Sequence, residues 1–318
     1  MKNIKVVFMG TPDFSVPVLE GLIENYQVVG VVTQPDRKVG RKQEICFSPI
    51  KKLALEHNIL VFQPEKIRVD FDDILKLNPD IIVTCAYGQI IPKDILDYPK
   101  YGCINVHASL LPKLRGGAPI HKSIIDGYLK TGITIMYMDE KMDSGDIISQ
   151  AETEILDTDT MESLHDRLKL IGKKLLLDTL PTIIDGSAKR ISQNEDEVTY
   201  AYNIKREEEY LDFSKTSREL FNQIRGLNPF PGSSCVIGDK EFKVYMSRIE
   251  SIDTTRHKPG EVLHIYKDGI GIATKDFEIV FTDIKPIGKK RMLASNFVNG
   301  IKKNDYIGKV AYGWKQSK

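Results

Sequence analysis

Asn105 and His107 stand two positions apart near the end of the apolar run "GCINVHAS". On an extended strand such residues face the same side, so their side chains project together. An asparagine amide can donate to a carbonyl oxygen, and an imidazole gives or takes a proton near neutral pH. Together they suit a carbonyl that turns tetrahedral, one stabilising the developing oxyanion and the other handling the accompanying proton. Taken alone, the same pair could simply satisfy backbone groups at a strand end. A third group is needed to choose.

That group is offered by "MDEKMDSGD", which holds Asp139, Glu140, Asp143 and Asp146 in a turn-like segment. A carboxylate arriving from such a loop could orient His107 and raise its basicity, or take a proton from an incoming nucleophile. A solvated acidic loop is the plain alternative. No serine or cysteine lies in a nucleophile-elbow context, so the chemistry reads as direct transfer between two bound substrates without a covalent enzyme intermediate. "GTPDF" shares only its first glycine with the G-x-G-x-x-G fingerprint, and no G-x-x-x-x-G-K-[ST] occurs, which disfavours dinucleotide and nucleoside triphosphate sites.

Charge suggests a partner. "QPDRKVGRKQE" reads as a turn-rich connection bearing Arg37, Lys38, Arg41 and Lys42, and a second basic run, Lys289, Lys290 and Arg291, follows "PIG". Net charge over the 318 residues is only +1, but from Glu208 onward 19 Lys/Arg face 14 Asp/Glu. Two basic patches on separate domains could grip one extended polyanion, although solvated loops have the same composition. The four cysteines form no C-x-x-C pair and read as buried free thiols. The six histidines form no ligand cluster, so no metal centre is expected. The apolar run near the N-terminus is too short for a signal peptide, and no run approaches the ~20 residues of a membrane span. A cytoplasmic protein is expected.

The elements that must position these residues follow from periodicity. Apolar runs at 4–10, 27–34, 59–63, 80–88 and 102–109, with helical segments between most of them, give a β-α-β-α rhythm. That rhythm predicts an α/β, Rossmann-like, doubly wound and mostly parallel sheet, in which ligands bind outside the carboxyl ends of the strands. Asn105 and His107 stand at one such end. Ser48 and Pro49 mark a helix start. Beyond 132 two strands follow each other with no helix between them, and a long amphipathic helix, 160–186, comes next. The division expected is a catalytic domain at 1–190, a linker at 191–207, and a C-terminal domain at 208–318. In the last, one helix precedes five short strands of a small β-barrel, an OB-like fold being the leading candidate.

"NVHASLLPKLRGGAPI", "MDSGD", "VVFMGTPDF" and "TQPDRKVGR" together resemble the methionyl-tRNA formyltransferases. The N-x-H-x-S-L-L-P element alone would indicate only the wider group of 10-formyltetrahydrofolate-dependent formyltransferases and hydrolases. The resemblance implies formyl transfer from N10 of 10-formyltetrahydrofolate to the α-amino group of methionyl-initiator tRNA, with no metal. It assigns Asn105, His107 and Asp143 to catalysis, and Ser109, Leu110, Leu111, Pro112, Tyr87, Gly88 and Ile90 to the folate pocket. Arg41 falls in the loop that engages the tRNA acceptor end. Gly117 replaces a small alanine of the family pattern. A formyltransferase for a small amine, a formate-releasing hydrolase and a nucleic-acid-binding module without catalysis are the rivals. The basic loop and the appended barrel argue against the first two. Nothing in the sequence demands more than a monomer.

Overall fold

The computed structural model describes residues 3–39 and 44–314. Contacts divide the chain into two compact units. The first comprises Met1–Pro119, Lys130–Glu154 and His165–Tyr202; the second comprises Ile120–Leu129, Ile155–Leu164 and Asn203–Lys318.

In chain order the first elements are β1 (Lys5–Gly10), α1 (Val16–Asn25), β2 (Gln27–Val32), β3 (Arg37–Val39), β4 (Glu44–Cys46), α2 (Pro49–Glu56) and β5 (Val61–Phe62). Next come α3 (Asp72–Leu75), β6 (Ile81–Cys85), α4 (Lys93–Leu96), β7 (Cys103–His107), α5 (Pro119–Ile125), β8 (Lys130–Tyr137), β9 (Ile147–Glu154) and α6 (Met161–Asp185). Val6, Val7, Phe8 and Met9 of β1 are wholly buried, as a strand covered on both faces requires. The sheet runs β5-β2-β1-β6-β7-β8-β9. It is parallel as far as β7, and β8 and β9 then pair antiparallel. From β1 the chain winds outward through β2 and β5, and then in the other direction through β6 and β7. The switch point therefore lies between β1 and β6, where such sheets open a crevice. Ser48 caps α2 by accepting the Lys51 amide at 3.0 Å.

Two stretches hold more structure than their sequences announced. The connection after β2 contains the antiparallel pair β3–β4, which reaches two residues beyond the 34–44 stretch, with Arg37 opposite Cys46 and Lys38 opposite Ile45. Arg37 and Lys38 on one strand and Glu44, Ile45 and Cys46 on the other are exposed, so no apolar alternation marks them. Residues 191–202, largely polar and without sustained periodicity, pair by backbone with the sheet unit. Ile191 exchanges hydrogen bonds with Ile147 at 2.9 and 2.8 Å, and Arg115 with Thr199 and Ala201 at 2.9 and 2.7 Å. Cys85, Cys103 and Cys235 are buried free thiols; Cys46 is exposed. Burial pushes the Cys85 thiol up to about 12, so it stays a packed neutral group.

The second unit contains α7 (Ser217–Gly226), β10 (Ser233–Ile237), β11 (Lys240–Asp253), β12 (Val262–Ile265), β13 (Ile270–Ala273), β14 (Phe277–Pro286), β15 (Met292–Leu293), α8 (Ala294–Val298) and β16 (Ala311–Tyr312). A Thr216–Glu219 capping box starts α7. The antiparallel order is β12-β13-β14-β11-β10-β16. Register shifts along β11 bend the sheet. Its two edges meet where Val262 N–H donates to Lys309 O at 2.8 Å and Gly308 N–H donates to Val262 O at 2.9 Å. The result is the curled, barrel-like sheet expected, with "GIGIAT" paired to both β12 and β14. Phe281 is fully buried in its core beside Phe213. Phe281→Ala should cost about 3–5 kcal/mol of unfolding free energy, read from the denaturation midpoint at unchanged slope. A loss below about 1 kcal/mol would mean that this core does not hold the unit together.

Candidate active site

β7 carries the first two residues. Between its neighbours β6 and β8, Asn105 lies opposite Thr84 and Met136, and His107 opposite Thr134. The Thr84 hydroxyl donates to Asn105 Oδ1 at 2.8 Å. That bond fixes the amide's orientation and leaves Nδ2, a donor, for an incoming oxygen. Thr84 is the lone polar residue in the buried strand "IIVTC", a signal the sequence did hold.

His107 is held more tightly. Its side chain is 6% exposed, and Nε2 lies 3.1 Å from the Leu114 carbonyl. A carbonyl only accepts, so Nε2 carries hydrogen and Nδ1 is turned to Asp143, 3.7 Å from Oδ2. Asp143 comes from the loop between β8 and β9 in a left-handed conformation, φ +51°. Its Oδ2 accepts the Gly116 amide at 2.8 Å. Gly116 itself has φ +123°, and a Cβ there would press on the Ala201 carbonyl at 2.7 Å. The glycine after Arg115 therefore lets the loop approach closely enough to reach the carboxylate. An amide donor, an imidazole and a carboxylate are thus set at the carboxyl end of the sheet. That set can stabilise an oxyanion and move a proton without a protein nucleophile.

The remaining residues named from the sequence fall into distinct places. Ser109 is buried and its hydroxyl closes a turn onto the Lys113 carbonyl at 2.6 Å. Thr134 Oγ1 donates to Ser109 O at 2.7 Å, and Gln150 Nε2 donates to Leu111 O at 2.9 Å, so β8 and β9 hold the turn. Leu111 is buried against Met136 and Ile147, while Leu110 and Pro112 are half-buried. Tyr87 is buried, which pushes its phenol up to about 12, and its carbonyl accepts from Thr11 Oγ1 and Gln34 Nε2, both at 3.1 Å. Gly88 has φ +90° and Ile90 is exposed. Tyr87 and Gly88 line a cleft of about 560 Å³ with Thr11, Gln34, Arg37 and Phe47, at the switch point between β1 and β6.

Arg37 and Lys38 are exposed on β3, and Arg41 and Lys42 lie outside the described residues. In the second unit Lys289, Lys290 and Arg291 are exposed. Arg291 is already engaged, pairing with Asp283 at 2.8 Å and lying 4.1 Å over the Tyr245 ring. Sequence reasoning missed Thr84, Thr134, Gln150, and the backbone groups of Leu114 and Gly116. Backbone groups leave no mark in a residue string.

Residues 2–180 match the formyl transferase family, and residues 203–302 match the formyl transferase C-terminal domain. The chain belongs to the formyl transferase family. Within it, methionyl-tRNA formyltransferase of Bacillus subtilis (strain 168) is 53% identical over 310 residues, covering 96% of this chain and 98% of that protein. The Bacillus cereus (strain B4264) protein of the same name is 54% identical over 303 residues, 94% of this chain and 96% of its own. Among solved structures, a sugar 3N-formyl transferase crystallised with dTDP and 5-N-formyl-THF aligns with a TM-score of 0.66 at 22% identity, over 90% of this chain and 99% of that one. HypX from Aquifex aeolicus, in complex with tetrahydrofolic acid, gives 0.63 at 17% identity, over 93% of this chain and 46% of that one. At these identities the structural likeness is one of fold.

Proposed function

We propose that this formyl transferase carries the formyl group of 10-formyltetrahydrofolate to the α-amino group of methionyl-initiator tRNA, giving N-formylmethionyl-tRNA for translation initiation. The observation that carries the reading is the convergence of Asn105, His107 and Asp143 at one strand end. The near-full-length identity to methionyl-tRNA formyltransferases supports the choice of acceptor. The amine attacks the formyl carbon while Asn105 Nδ2 donates to the oxygen as it becomes negative, and His107, held between Leu114 and Asp143, stabilises it through the positive charge gained as the imidazole takes up a proton. Asp143, with His107, accepts the amine proton and helps return one to N10 as the C–N bond to the folate breaks. The Ser109–Pro112 turn, with Tyr87, Gly88 and Ile90, receives the folate.

In this reading residues 1–190 perform the chemistry, 191–207 join the domains, and 208–318 bind tRNA. The protein acts as a cytoplasmic monomer. Among the described residues no helix is long and apolar enough to cross a membrane. Arg37, Lys38, Arg41 and Lys42 contact the acceptor end. Lys289 and Lys290 contact the phosphate backbone, Arg291 less so because Asp283 neutralises it. Arg41→Ala should weaken the charged-tRNA substrate, and the plot of log affinity against log salt should flatten by a slope of about 1. An unchanged slope would show the loop to be merely solvated. A small-amine acceptor would need neither basic segment, so assaying charged initiator tRNA beside free methionine separates the two readings.

A further inference from the structure

The segment 191–202 is more than a connection. Its Thr199 hydroxyl accepts the Leu114 amide at 2.9 Å, and its backbone pairs with Arg115 on both sides. It thereby steadies the two groups that touch the catalytic pair, the Leu114 carbonyl on His107 and the Gly116 amide on Asp143. Farther along, Gln193 reaches the other loop. Its Nε2 donates to the carbonyls of both Asp143 and Gly145, each at 2.8 Å. Its Oε1 accepts from Arg115 Nε at 3.0 Å and Nη2 at 2.9 Å. The Arg115 side chain is 4% exposed and is completed by exposed Glu195 at 2.9 Å. One amide therefore ties a buried guanidinium on the 114–116 loop to the backbone of the 143–145 loop.

We propose that Gln193 is a positioning residue for Asp143, locking the left-handed turn that aims the carboxylate at His107. This rests on the catalytic assignment of Asp143 made above. Aspartate tolerates a positive φ better than most residues but does not prefer it, so partners are needed to hold the turn in that one conformation. Both hydrogens of the Gln193 amide are spent on that turn. Displacement of a catalytic group by about 1 Å can cost on the order of 10²-fold in rate.

The test is a double-mutant cycle read in steady-state turnover with charged tRNA. Gln193→Glu keeps the acceptor toward Arg115 but sets a carboxylate oxygen against two carbonyls. It should lower kcat on the order of 10²-fold with KM for both substrates unchanged. In the Asp143→Asn background the same change should cost little, because the charge it positions is already gone. Glu195→Gln, in the same segment and on the same arginine, should stay near wild type. Gln193→Asn, with a shorter reach, is read the same way if the glutamate variant does not fold. Additive losses, a change confined to KM, or an equal loss in Glu195→Gln would overturn the proposal. If Asp143→Asn alone kept full turnover, the catalytic reading beneath it would fall instead.

Discussion

Asn105→Ala should lower turnover by about 10²–10³-fold, or roughly 2.7–4 kcal/mol in the barrier, while tRNA affinity changes little. The size follows from what is removed. Thr84 already holds Oδ1, so the Nδ2 group is pre-aimed and needs no reorganisation as charge develops on the oxygen. Such an interaction is stronger in the transition state than in the ground state, and its loss appears in kcat rather than KM. The backbone at 105 is gripped by β6 and β8 on either side, so truncating the side chain leaves the strand in place. Turnover at saturating substrates, with equilibrium tRNA binding measured beside it, checks both halves. Near-normal turnover would remove Asn105 from the oxyanion site.

Asp143→Asn should lose about 10²–10⁴-fold in kcat, the range that a positioned acid–base group supplies. Asparagine is nearly isosteric, tolerates the positive φ, and offers Oδ1 to the Gly116 amide. The loop should therefore stay in place, and the thermal midpoint should move little. What disappears is the negative charge 3.7 Å from His107 Nδ1, and with it the acceptor for the amine proton and the stabilisation of an imidazolium. A large rate loss with an unshifted melting curve is the signature. A variant that keeps its rate would return this carboxylate to the role of a loop-closing acceptor.

The parts of this molecule that were legible in its sequence are those written in side-chain periodicity. The buried β1 run, the Ser48–Pro49 helix start and the alternation through β7 require residue types that only one arrangement accommodates. The Asn105–His107 pair was legible because strand geometry puts both side chains on one side. The β3–β4 hairpin was not, since exposed strands need no apolar pattern. Nor was the pairing of 191–202, whose contacts run largely through backbone groups and one amide. Asp143 shows the boundary between the two cases. Its type and neighbourhood suggested a carboxylate near His107, but the Gly116 amide that holds it belongs to a glycine whose need is visible only when Ala201 is seen against it.

The central claim, direct transfer at this strand end, is tested most directly by a single-turnover experiment. The donor is 10-formyltetrahydrofolate labelled in its formyl carbon, mixed with the protein and methionyl-initiator tRNA and quenched at intervals. The account predicts that label passes to the methionine α-amine as it leaves the folate, with none on the protein at any time and none released as formate. Label trapped on the protein, or recovered as formate while the tRNA stays unformylated, would contradict it.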